Sequence, residues 1–116
     1  MKMLQGAFIG AGRKVAIVAG RFNDFIVQSL IKGAVDCLVR HGVKDEAIAV
    51  VRVPGAFEIP PVAQMLAESK AYDAIVCLGC VIRGDTPHFD YVAGEAAKGI
   101  ARAAATAGVP VIFGIL

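Results

Sequence analysis

Asp73-Ala74-Ile75-Val76-Cys77-Leu78-Gly79-Cys80 is the stretch on which the fold turns. It is continuously apolar after Asp73 and shows no polar alternation. A run of this length and composition reads as a strand buried on both faces. Directly after it comes Val81-Ile82-Arg83-Gly84-Asp85-Thr86-Pro87-His88. There Thr86 reads as a helix N-cap and Pro87 as the first helical residue. The helix continues through Val92, Ala96, Ile100 and Ala104 to Gly108, and Val111 to Leu116 reads as another strand. Upstream, Lys14 to Ala19 is a short apolar strand. Asn23 reads as the N-cap of a helix with apolar positions Ile26, Leu30, Ala34, Cys37 and Leu38, stopped at Gly42. Ala47 to Val53 is a Val-rich strand broken by Pro54 and Gly55. A shorter helix follows from about Glu58 to Ser69, with its prolines confined to the start.

The resulting order is β-α-β-α-β-α-β. Unalternating strands separated by amphipathic helices predict a four-stranded parallel sheet with helices on both faces. That is a three-layer α/β sandwich of the flavodoxin-like kind, with residues 1–116 as one domain. Ligands of such sheets bind beyond the carboxyl ends of the strands. The segments to inspect are therefore Gly20–Asn23, Pro54–Phe57, Val81–Thr86 and the neighbourhood of Phe113. Three helices must cover two faces, so one face receives a single helix. The last strand needs cover from a partner chain or from further sequence.

Of 116 residues, 57% are hydrophobic and 19% charged, which excludes intrinsic disorder. So few charges also predict an apolar surface that partner subunits cover. The net charge is +2 and the basic residues are scattered, so no nucleic-acid face is expected. The longest apolar run, Ala74 to Ile82, falls far short of a membrane span, and the N-terminus shows no signal-peptide core. Three cysteines without a disulfide pattern agree with a reduced, cytoplasmic protein. Cys77 and Cys80 stand three apart on a strand, so they face opposite sides and read as small core residues, not a thiol pair. Gly10-Ala11-Gly12 precedes a strand and does not follow one, which fails the context of a dinucleotide loop. His41 beside Gly42 reads as a structural helix-end residue.

Three strand ends carry candidate chemistry. At the third, a helix N-terminus offers free N–H groups and a partial positive charge to an anion. Gly84 lets backbone approach it closely. His88 in the first turn is placed to act as a general base. The same residues also describe an ordinary capped helix with a surface His. At the second, Phe57 could stack on a planar ring and Glu58 could bind hydroxyls. On local pattern alone, a core Phe and a helix-start carboxylate account for them better. Phe22, within Arg21-Phe22-Asn23, is either a stacking aromatic or a packed turn.

Taken together, Arg21-Phe22-Asn23, Val53-Pro54-Gly55-Ala56-Phe57-Glu58-Ile59-Pro60 and Val81-Ile82-Arg83-Gly84-Asp85-Thr86-Pro87-His88-Phe89-Asp90-Tyr91 closely resemble the lumazine synthase family. They match in order and spacing, and Phe113-Gly114 fits the same pattern. The resemblance implies condensation of 5-amino-6-ribitylaminouracil with 3,4-dihydroxy-2-butanone 4-phosphate. The products are 6,7-dimethyl-8-ribityllumazine, phosphate and water, in riboflavin biosynthesis, with no metal and no organic cofactor. It implies that Phe22 and Phe57 flank the pyrimidine ring, with Asn23 among the substrate-binding residues. Ala56 and Glu58 hold the ribityl chain, and Val81 and Ile82 backbone groups meet the uracil edge. Gly84, Asp85 and Thr86 form the phosphate nest, His88 shuttles protons, and Phe113 reaches a neighbouring subunit's site. It further implies a homo-oligomer, a pentamer or an assembly of pentamers, with sites between subunits. The family's chains continue past this last strand into two helices. These carry a phosphate-clamping basic residue and a Lys, so both are expected outside residues 1–116. If the polypeptide ends at Leu116, weak phosphate binding and impaired assembly follow. A non-catalytic flavin- or lumazine-binding, or shell-forming, member of the same fold is the alternative.

Overall fold

The computed structural model describes residues 1–116. Four strands form one all-parallel sheet: β1 (Val15–Gly20), β2 (Ile48–Val53), β3 (Ala74–Gly79) and β4 (Val111–Ile115), in the order β2-β1-β3-β4. Three helices alternate with them: α1 (Asp24–Arg40), α2 (Ile59–Glu68) and α3 (His88–Thr106). The expected sequence of elements is therefore the observed one. Two 3₁₀ turns, Asp45–Ala47 and Ala56–Glu58, tighten the entries to β2 and α2. They explain why that strand and that helix begin a residue later than their hydrophobic patterns suggest.

β1 is buried along its whole length because it pairs on both edges, with β2 in register Val15↔Ile48 and with β3 in register Val15↔Ala74. α2 and α3 cover one face through Ile59, Ala63, Ala67, Ala96, Ile100 and Ala103, all buried against Ala16, Val18, Ile75 and Cys77. α1 alone covers the other face, over Ile17, Ala19, Leu78 and Cys80. Cys77 and Cys80 thus belong to opposite faces, as the strand period requires. Burial pushes the Cys77 thiol up to about 12, so it is a core atom and not a nucleophile. The face with one helix leaves Val50 and Ile112 exposed on the two edge strands.

Local chemistry differs from expectation at three points. Asn23 does not cap α1 with its side chain. It takes the left-handed conformation at φ 53°, which Asn tolerates, and its carbonyl accepts the Ile26 and Val27 N–H groups. The buried stripe of α1 runs through Ile26, Val27, Leu30, Ile31, Ala34, Val35 and Leu38, whereas Cys37 is exposed beside His41. The α3 helix begins at His88, with Pro87 as its cap. The Thr86 hydroxyl nevertheless accepts the His88 N–H at 3.4 Å, which is the bond expected of a capping Thr.

Helix ends and crossings are set by small residues. At the end of α1, Gly42 at φ 98° donates to Val39 O and Val43 donates to Leu38 O, the paired bonds of a Schellman close. The ring of His41 lies 2.7 Å from the Cys37 carbonyl through Nδ1, which confirms a structural role. Where α2 and α3 cross, a methyl on Gly99 would sit 2.5 Å from Pro60 Cβ, so only glycine allows that approach. No helix is long and apolar enough to cross a membrane.

Candidate active site

The order β2-β1-β3-β4 means that the chain leaves β1 to one side for β2 and returns to the other side for β3. A crevice therefore opens beyond the carboxyl ends of these strands. A cleft of about 310 Å³ lies there. Its first wall is Phe22, from the turn after β1. Its second is Pro54-Gly55-Ala56-Phe57-Glu58, from the turn after β2. Its third is Cys80-Val81-Ile82, directly after β3, and His88 and Val92 close it from the first turns of α3. Volume and mainly apolar lining suit one planar heterocycle, with a few polar groups to orient it.

Each wall is fixed by backbone bonds. The Arg21 N–H donates to Val53 O at 2.8 Å and the Phe22 N–H to Pro54 O at 3.1 Å, so the first two turns are joined. Gly20 and Gly55 touch across that junction, where a Cβ on Gly20 would lie 3.3 Å from Gly55 backbone. Phe22 and Phe57 line the cleft and are each 52% exposed. Ala56 is buried and Glu58 half-buried. The Val81 N–H is already engaged with Leu116 O at 2.8 Å, while the Val81 carbonyl and the Ile82 N–H make no backbone hydrogen bond. They belong to one trans peptide unit and so point in opposite directions, which offers two separate hydrogen-bonding positions after β3.

Seven of the residues named from sequence thus meet in one cleft: Phe22, Ala56, Phe57, Glu58, Val81, Ile82 and His88. Asn23 is next to it but does not line it. Gly84, Asp85 and Thr86 lie in the exposed loop leading to α3, outside the lining, and their N–H groups make no backbone hydrogen bond. In the same loop the Arg83 guanidinium rests 4.4 Å above the Phe89 ring and 3.7 Å from Asp90 Oδ1. Phe113 sits apart, in a shallow depression with Ala97, Ile100, Ala101 and Ala104 on the α3 side of β4.

Two lining residues were legible only as packing. Val92 was readable as helix core, but it follows His88 by one turn and so shares its face. Cys80 was read as a core thiol and is buried, yet it also borders the cleft. A further residue, which no local pattern marks, stands behind the wall. Arg52, on β2, donates to Ala19 O at 3.3 Å, to Gly20 O at 3.1 Å and to the Asp24 carboxylate. The hydrogen bond from Arg52 holds the exposed Asp24 carboxyl below the usual carboxylate range.

Compared with known protein families, residues 12–116 match the family model described as 6,7-dimethyl-8-ribityllumazine synthase.

Proposed function

The chain belongs to the 6,7-dimethyl-8-ribityllumazine synthase family, and from that premise we propose that it condenses 5-amino-6-ribitylaminouracil with 3,4-dihydroxy-2-butanone 4-phosphate. The observation that carries this reading is the meeting of Phe22, Phe57, Glu58, Val81, Ile82 and His88 in one cleft from three separate strand ends. The pyrimidine stacks at Phe22 and Phe57. Its uracil edge meets backbone groups of Val81 and Ile82. Ala56 backbone and the Glu58 carboxylate hold the ribityl hydroxyls, and Asn23 supports the same wall.

The substrate amine adds to the ketone and water leaves as the imine forms. Phosphate is then eliminated, and ring closure with loss of a second water gives the lumazine. Each step moves protons, and His88 at the cleft wall is the group we assign to carry them. A positioned acid–base of this kind is worth about 10²–10⁴-fold in rate. Holding both substrates in contact contributes roughly 7–11 kcal/mol more. Gly84, Asp85 and Thr86, with uncommitted N–H groups before the positive end of α3, receive the phosphate.

Residues 1–116 work as one unit in the cytoplasm and assemble as a homopentamer or a larger array of pentamers. Phe25 at 86% exposure and Met65 at 69% support burial between subunits, and Phe113 reaches a neighbour's site. The test is product formation by the protein and by His88→Ala. The proposal expects turnover in the first and a loss of about 10²-fold or more in the second. Saturable lumazine binding without turnover in either would mark a non-catalytic binder or shell protein instead.

A further inference from the structure

Nothing in the pairing of β2 calls for a charged residue at position 52, yet this side chain is only 17% exposed and all its polar contacts lie outside its own strand. The guanidinium reaches past the edge of β1. Nε donates to the Ala19 carbonyl, and Nη2 to the Gly20 carbonyl and Asp24 Oδ1. These acceptors are the last two residues of β1 and the first residue of α1. Between them lie only Arg21, Phe22 and Asn23. The amides of Arg21 and Phe22 are tied to Val53 and Pro54 on the other side. Asp24 is in turn held by Gln28 Nε2 at 3.4 Å.

We infer that Arg52 is a positioning residue for Phe22: its fork clamps both ends of the β1–α1 turn and fixes where the aromatic wall of the cleft stands. A planar, multiply donating guanidinium fits three acceptors spread over two elements, whereas an ammonium can satisfy them only in part. Asn23 sits in the left-handed region inside the clamped span, so the turn has a defined shape to lose. The consequence is selective. The Gly84–Thr86 loop, between β3 and α3, has no bond to Arg52, so the clamp acts on the ring-binding half of the cleft alone.

The inference rests on the proposed function for its kinetic readout, and a second readout is independent of it. Arg52→Met keeps the aliphatic stem and removes the donors. It is expected to raise KM for the ribitylaminouracil about tenfold, the loss that weakened stacking on one aromatic ring causes. KM for the butanone phosphate stays unchanged and kcat stays within about twofold. Arg52→Lys gives an intermediate KM. Amide hydrogen exchange at Arg21 and Phe22 speeds up about tenfold in Arg52→Met, while the Val81 amide across the cleft does not change. An equal rise in both KM values, or an unchanged KM in folded Arg52→Met, overturns the inference. Unchanged exchange at Arg21 and Phe22 overturns it as well. If Arg52→Met does not fold, Asp24→Ala, which removes the acceptor, decides: a selective rise in the same KM supports the clamp, and no change overturns it. A wild-type protein that forms no product refutes the proposed function, and the exchange data alone then judge Arg52.

Discussion

Asp24 shows how a single exposed carboxylate is recruited to shape a site. Its hydrogen bond with Arg52 favours the charged form, so its carboxyl titrates below the usual range. The sign of the pH effect follows. A depressed folded-state value adds stability above the unfolded carboxylate value of about 3.9, and that stability is lost as pH falls through the lower folded value. Wild type is therefore expected to exceed Asp24→Asn in urea midpoint at pH 7. The gap narrows as pH drops below about 4, and a gap independent of pH would deny the ionic link. The residue scale is also where sequence reading is least complete. The loops that carry Phe22, Phe57, Glu58 and His88 were legible because ends of parallel strands are where ligands sit, but the side chains became site candidates only through the joint pattern of three motifs. Arg52 stood out only as the lone charge in a Val-rich strand. Its three acceptors lie about 30 residues away in sequence, beyond any local pattern.

At the scale of elements, continuous apolar runs made all four strands legible, because a strand buried on both faces has no polar side to disguise it. Boundaries were less so. The 3₁₀ turns at Asp45–Ala47 and Ala56–Glu58, and the left-handed Asn23, are set by how each element enters the sheet. Asn is as common in such a turn as at a cap, so its identity alone could not decide. The glycines give sharper tests. Gly42→Ala places a side chain at φ 98° and is expected to cost about 1–2 kcal/mol by loss of the α1 close. Gly99→Ala drives a methyl into Pro60 and is expected to cost about 1–3 kcal/mol by parting α2 from α3. Denaturant midpoints check both. Either variant as stable as wild type would contradict the corresponding contact.

Across the whole molecule, the sheet order places the cleft and the helix count leaves one face thinly covered. Three helices over four strands put α2 and α3 together on one side and α1 alone on the other, which leaves Val50 and Ile112 exposed. That imbalance was foreseeable from the element order. Phe113 stands apart from the cleft because β4 lies at the sheet edge, one strand beyond β3, which agrees with the expectation that it serves a neighbour's site and not its own. We place binding and reaction of the heterocycle in the strand-end cleft. The most direct test is fluorescence titration of 6,7-dimethyl-8-ribityllumazine against wild type, Phe22→Ala and Phe57→Ala. Loss of a stacking ring is worth about 1–3 kcal/mol by analogy with base stacking on aromatic side chains, or roughly fivefold to 140-fold in Kd. Saturable binding by wild type is expected, with a rise in Kd of at least about fivefold in each variant. No saturation by wild type, or equal Kd values in all three proteins, would contradict it.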